Sequence, residues 1–228
     1  MENPNNFQWP PLESDPEIFN SYFHKVGLPE NINFQELFSL DYKEIQLIES
    51  PIVGIIATIQ RTEGKQCFEK NLENYKSVPF YMKQEGSLDN ACGLVAALHV
   101  FGNNTQIINL QDNSILKNYF DQVKDKTPQE RCKLLESEND FKQAHCSSAN
   151  EGQSEIPTSQ ENVSYHYIAY VFLNNKVYEL DGSLSGPVVI KDNTTHENLL
   201  DDAIEEIKSK IHSGLISENL SVIYASIE

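Results

Sequence analysis

The sequence predicts an α/β or α+β layer fold, with one buried helix at its centre and strands on either side. Three observations carry this. Residues 92–101, CGLVAALHVF, are apolar nearly all round, the pattern of a helix buried on every face. Residues 51–60, PIVGIIATIQ, form a short, continuously apolar, β-branched run that reads as a buried strand. Residues 163–182 read as two strands joined at Asn174-Asn175, residues that tolerate the positive φ of a tight turn. Strands scattered around one central helical block suit a layered sheet.

The other elements follow in chain order. Ser14 or Asp15 caps an opening helix that has Pro16 in its first turn, Ile18, Phe19, Tyr22, Phe23 and Val26 on its apolar face, and Gly27 as its stop. PIVGIIATIQ is then the first strand. Residues 61–77 are charged and loop-like or helical, and 78–82 (VPFYM) are a short apolar segment. The central helix opens at Cys92 and ends at Gly102-Asn103-Asn104. Two amphipathic helices are expected near 113–124 and 127–138, the second opened by Thr127-Pro128. Residues 147–162 contain no basic residue and almost nothing apolar, so they read as a long loop, a feature uncommon unless functional. After the hairpin come a short strand at 186–190, a helix from about 195 to 212, and a closing strand at 220–227.

Composition narrows the function classes. The chain has 228 residues, 39% of them hydrophobic and 22% charged, which is globular rather than disordered or membrane-like. Its 17 basic residues against 34 acidic ones give a net charge of −17. That balance disfavours nucleic acid and anionic membranes, which need a basic footprint, and suits encounter with a basic partner. Acid is concentrated toward the two ends: nine acids and two bases in residues 1–50, seven and two in residues 197–228. The four cysteines (Cys67, Cys92, Cys132, Cys146) lack CxxC spacing, which argues against zinc, and neither a metal nor another cofactor is expected. The segment MENPNNFQWPPLESDPE does not have the form of a signal peptide, and no apolar run approaches the ~20 residues of a membrane helix. A reducing, cytosolic or nuclear setting is therefore expected.

Cys92 is the thiol best placed for chemistry. It opens the apolar helix, where unpaired N–H groups and the helix dipole favour an anion and can receive a developing oxyanion. The competing reading is a small buried residue. A thiol nucleophile needs a base, and the base needs an orienting group. With the turn at 174–175, strand residues pair where their numbers sum to about 349, so His166 faces a residue near 183 and Asp181 lies across the hairpin close by. A carboxylate there can hold the imidazole and stabilise its charged form. The competing reading is again a satisfied core histidine.

The segments WPPLESDPEIFNSYFHKVGLP, FYMKQ…DNACGLVAALHVFGNN, SSANEGQSEIP and HYIAYVFLNNKVYELDG, with the terminal DAIEEIKSKI…LSVIYAS, closely resemble the ubiquitin C-terminal hydrolases of the short single-domain type. The resemblance spans the chain, so residues 1–228 are expected to form one catalytic domain. It implies a papain-like cysteine hydrolase fold, a central, mostly antiparallel sheet flanked by helices, with a knotted backbone. It also implies Cys92 as nucleophile, His166 as base, Asp181 as orienter and Gln84 as oxyanion donor, with residues 147–162 as the crossover loop over the active site. Gln84 stands two residues further from the cysteine than the family's glutamine, and Gly86 can let the extra length bulge outward.

The resemblance implies ubiquitin, or a related modifier, as the partner of a monomeric enzyme. Leu12, Ser14 and Tyr165 match substrate-contact positions, and Glu13, Glu151 and Glu155 are candidates to steer a basic, extended C-terminal tail. The expected activity is hydrolysis of small adducts and short peptides from the C-terminal glycine of ubiquitin. The altered glutamine spacing keeps open a catalytically weak ubiquitin-binding protein, and a hydrolase for a related modifier or a plain peptide is the third reading.

Overall fold

A computed structural model describes residues 7–48, 50–62, 71–152 and 165–228 of the chain. Six strands form one sheet in the order β1-β6-β2-β3-β4-β5, every neighbouring pair antiparallel. The strands are β1 (Ile32–Glu36), β2 (Ile52–Gln60), β3 (Tyr165–Leu173), β4 (Lys176–Leu180), β5 (Val188–Asp192) and β6 (Ser221–Ile227). The helices are α1 (Pro16–Val26), α2 (Tyr42–Ile45), α3 (Cys92–Gly102), α4 (Ile115–Val123), α5 (Pro128–Ser137), α6 (Asn139–Ala149) and α7 (Leu199–His212).

The unbroken apolar character of β2 has a direct cause: both of its faces are covered. Val53 and Ile56 belong to the larger core with α1 and α3, while Ile55, Ala57 and Ile59 join the smaller core beneath α7. Helix α3 presses so closely on this strand that a Cβ on Gly54 would lie 2.6 Å from a methyl carbon of Val100. Every residue of α3 is buried, as its all-round apolar sequence requires.

Caps and turns behave as the sequence indicates. Asp15 accepts the Glu17 N–H at the start of α1, and Gly27 ends it at φ 110°. Asn174 and Asn175 adopt φ 51° and 60°, and the β3–β4 ladder pairs Ala169 with Leu180 and Leu173 with Lys176. The register is the one given by the sum near 349.

Four expectations are corrected. Gly102 does not end α3 through a left-handed turn; it is the last helical residue, before Asn103, and its glycine serves close packing, since a Cβ there would meet the Phe80 ring at 2.5 Å. The strand expected at 186–190 runs from Val188 to Asp192, where it pairs with Glu179 to Lys176 of β4, while Gly186 packs against the Glu73 carbonyl, which a Cβ would strike at 2.2 Å. PIVGIIATIQ is the second strand, preceded by edge strand β1. The expected loop at 147–162 begins as the last residues of α6, and its residues 153–162, with Cys67, lie outside the described residues.

Helix α6 also holds the N-terminal segment. His145 donates from Nε2 to the Pro10 carbonyl at 2.6 Å, and its ring packs edge-on against Trp9 and Tyr22. Burial drives His145 and His99 down to about 4, against backbone hydrogen bonds to Pro10 and Met82 that act to raise them. For a base held neutral in the fold, the stabilisation is complete above the unfolded value of 6.5 and is lost as pH falls toward 4. Each histidine accounts for about 3 kcal/mol across that window. Thermal melting between pH 7 and 4 should therefore show a steep loss of stability. His145→Gln should flatten the loss relative to wild type, and an unchanged slope would refute the assignment.

Candidate active site

Cys92 occupies the first turn of α3, after Ala91, and no side chain caps this helix. Its first N–H groups have no intrahelical acceptors by geometry, so they converge on the space in front of the thiol. The neighbouring Gly93 is hemmed in: a Cβ there would meet Phe19 at 3.3 Å, Tyr167 at 3.6 Å and Leu12 at 3.7 Å. That packing fixes the helix start against the sheet. Cys92 is only 4% exposed.

β3 brings His166 to this point. Its partner across the sheet is Ile59 of β2, and the β3–β4 hairpin returns the chain to Asp181 just beyond β4. His166 Nε2 lies 2.7 Å from Asp181 Oδ1. Nδ1 therefore remains for the thiol. Burial works against a charged imidazole, but hydrogen bonds to Asp181 and Cys92 and the negative charge of both outweigh it, raising His166 to about 9. The Asp181 carboxyl is 1% exposed. Burial would push it up, yet His166 and then Arg61 hold it well below the usual carboxylate range. His166 therefore adds stability that is complete below pH 6.5 and fades as pH rises through about 9.

Asp181 is held by more than the histidine. Its Oδ1 also accepts the Ser183 N–H at 2.9 Å, and its Oδ2 is ion-paired to Arg61. The Tyr81 hydroxyl donates to the Asp181 carbonyl at 2.6 Å. Sequence reasoning missed Arg61. It is a polar residue just past a strand end, and only the β2–β3 pairing brings it beside the hairpin.

Gln84 is docked onto the same turn. Its N–H donates to the Gly182 carbonyl at 2.9 Å, and a Cβ on Gly182 would meet the Gln84 Cβ at 2.8 Å. The additional chain between Gln84 and Cys92 winds into a 3₁₀ turn, Gly86–Leu88, with Gly86 at φ 68°. Glu136 of α5 clamps that turn, accepting from the Ser87 N–H at 2.9 Å and its hydroxyl at 2.7 Å. Gln84 Nε2 donates to the Asp89 carbonyl at 2.8 Å, which leaves its second N–H available.

The three expected substrate contacts fare differently. Leu12 is 3% exposed, packed beside Gly93, and its carbonyl accepts from the Tyr167 hydroxyl at 2.8 Å. Its side chain is packed in the core. Ser14 is half-buried, accepting from Thr58 at 2.9 Å and donating to Ser221 at 3.1 Å, so its hydroxyl serves the fold. Tyr165 is 41% exposed at the start of β3, one residue from His166. Of the acids expected to steer a basic tail, Glu13 lies against Gly152 and Glu151 accepts from Ser21 at 3.1 Å, so the two flank one end of the α1–α6 face. Glu155 lies outside the described residues.

The sequence profile described as "Ubiquitin carboxyl-terminal hydrolase, family 1" matches residues 9–212. A "Ubiquitin carboxyl-terminal hydrolase" of Aplysia californica is 32% identical over 203 residues, covering 88% of this chain and 94% of its own. "Ubiquitin carboxyl-terminal hydrolase 3" of Arabidopsis thaliana is 30% identical, covering 99% of this chain and 97% of its own. The Trichinella spiralis UCH37 catalytic domain, solved bound to ubiquitin vinyl methyl ester, has the same fold. It superposes with a TM-score of 0.79 at 23% identity, covering 100% of this chain and 99% of that one.

Proposed function

Because this chain belongs to the ubiquitin carboxyl-terminal hydrolase family, we propose that Cys92, His166 and Asp181 carry out its thiol hydrolysis on adducts of the ubiquitin C-terminus. The enzyme is a cysteine-type ubiquitin hydrolase, a deubiquitinase. The observation that supports the residue roles is a single constellation: an imidazole held by a buried carboxylate at 2.7 Å and coupled to a thiol at an uncapped helix N-terminus.

In the first half-reaction the Cys92 thiolate adds to the carbonyl carbon of the terminal glycine. Negative charge moves onto the carbonyl oxygen, where the N–H groups of the first turn of α3 and the free N–H of Gln84 receive it. His166 gives its Nδ1 proton to the leaving amine or thiol as the carbon–leaving-group bond breaks, and a thioester remains. Water then adds to the thioester while His166 accepts a proton, and the thiolate departs to restore the enzyme. Asp181 keeps the imidazole oriented and stabilises its charged form in both halves. Small leaving groups and short peptides are the adducts we assign to it. A reducing, cytosolic or nuclear, setting is the one we assign to it on the scatter of its four cysteines in the sequence.

The experiment is intact-mass analysis after mixing the protein with a ubiquitin vinyl methyl ester, alongside the same electrophile on related modifiers and turnover of a ubiquitin C-terminal fluorogenic amide. One ubiquitin adduct per chain with turnover is the expected result. Ubiquitin binding without adduct or turnover would establish the weak-binder reading, to which the Gln84–Asp89 bond lends weight because it occupies part of an oxyanion donor. Preferential labelling by another modifier would shift the substrate class.

A further inference from the structure

Asp181 is buried to 1% and its two oxygens are divided between different partners. Oδ1 takes His166 and the Ser183 N–H; Oδ2 takes the Arg61 guanidinium. We propose that Arg61 is a positioning residue for this active site: it fixes the Asp181 carboxylate through its second oxygen and moderates the pull of that carboxylate on the imidazole proton.

The backbone of Arg61 is well placed for this. It lies one residue past β2 and bridges Ile216, while the flanking Thr62 N–H donates to Leu215 and the Ser217 N–H to Gln60. The guanidinium thus projects from the sheet rather than from a free loop. It also reaches the Ser183 hydroxyl at 3.4 Å, so it spans the turn that carries Asp181.

The groups facing the His166–Asp181 pair come from several elements. Cys92 and the neutral His99 are on α3, Tyr170 is on β3, and Lys83 donates to the Ser183 and Leu184 carbonyls at 3.0 and 2.6 Å rather than to the carboxylate. Among the described residues Arg61 is the cation bridged to Asp181 besides His166 itself. A positive charge on Oδ2 reduces the field that the carboxylate exerts at the imidazole, so His166 releases its proton more readily than an unbridged pair would allow. Orientation and proton affinity are separable, because a lysine can supply the charge without the planar fork.

This inference rests on the proposed Cys92–His166–Asp181 reading. The test compares the full-length wild type with Arg61→Gln and Arg61→Lys. The His166 ring is titrated by NMR without substrate, and kcat and KM are measured across pH on the ubiquitin C-terminal amide. Arg61→Gln should raise the His166 midpoint by about half a unit to one unit, move the alkaline limb of the rate profile up with it, and lower kcat roughly tenfold with KM nearly unchanged. Arg61→Lys should restore the midpoint and recover kcat only in part. An unmoved midpoint in Arg61→Gln, or a loss carried entirely in KM, would overturn the inference. If Arg61→Gln does not fold, a wild-type kcat in Arg61→Lys overturns it. Absence of turnover in the wild type would instead count against the reading beneath it, because the NMR titration needs no turnover.

Discussion

Cys92→Ala is expected to reduce turnover of a ubiquitin C-terminal amide by on the order of 10⁴–10⁶-fold and to abolish labelling by the ubiquitin vinyl methyl ester. Alanine leaves the N–H groups of α3 and the His166–Asp181 pair in place, but no atom can form the thioester. The change should not unfold the protein. It removes one sulfur from a site packed by Phe19, Tyr167 and Leu12 around Gly93, and a loss of about 1 kcal/mol is expected. Ubiquitin affinity by calorimetry should persist. Residual labelling of the alanine variant would move the nucleophile to another thiol, and Cys132 is ill suited: burial drives it up to about 11.

Asp181→Asn should cost about 10²–10⁴-fold in kcat/KM. The asparagine keeps the shape while losing the charge that stabilises imidazolium. It also presents either an N–H₂ to the Arg61 guanidinium or an N–H₂ to His166 Nε2, so one of the two bonds to the carboxylate is disrupted. His166 stands at about 9 with the carboxylate present; without it, burial lowers the imidazole, and the alkaline limb of the rate profile moves to lower pH. Stability should fall most between pH 4 and 6.5, where Asp181 is charged in both the folded and unfolded chain and His166 is protonated in both, so the pair contributes fully. Rate profiles and melts of the variant check both signs. A variant with an unmoved alkaline limb would remove Asp181 from its role as orienter.

Several elements were legible because their signals are local. Asp15, Pro16 and Gly27 mark both ends of α1, and Asn174-Asn175 fix a two-residue turn from which the register of the whole hairpin follows. Others had no local signal. β1 is a five-residue edge strand whose buried positions, Ile32 and Phe34, are too few to establish alternation. α6 buries Ala144, His145, Ser148 and Ala149 with Phe141, a face of small and polar side chains that apolar periodicity does not reveal.

The site divides in the same way. His166 and Asp181 belong to one hairpin, and Cys92 to the start of one helix, so their types and short-range spacing made them candidates, and the family resemblance turned the candidates into expected roles. Gln84 was assigned through the family resemblance, but its docking on Gly182 and the clamping of the Gly86–Leu88 turn by Glu136 of α5 are tertiary contacts. Leu12 and Ser14 match substrate-contact positions, yet Leu12 is buried and Ser14 half-buried with its hydroxyl bonded to Thr58 and Ser221, because burial is set by what packs above a residue.

Taken alone, the sequence determined the layered fold and the hairpin register, since each is encoded within a few consecutive residues, and it singled out Cys92, His166 and Asp181 as candidates whose roles came from the family resemblance. The tertiary structure decided which cation meets Asp181, how the additional chain before Cys92 is accommodated, and which N-terminal residues remain accessible. Those features arise from contacts between segments far apart in the chain, among them Ser87–Glu136 at a separation of 49 and Arg61–Asp181 at 120. Such pairings are fixed by the global packing free energy, which no local propensity records.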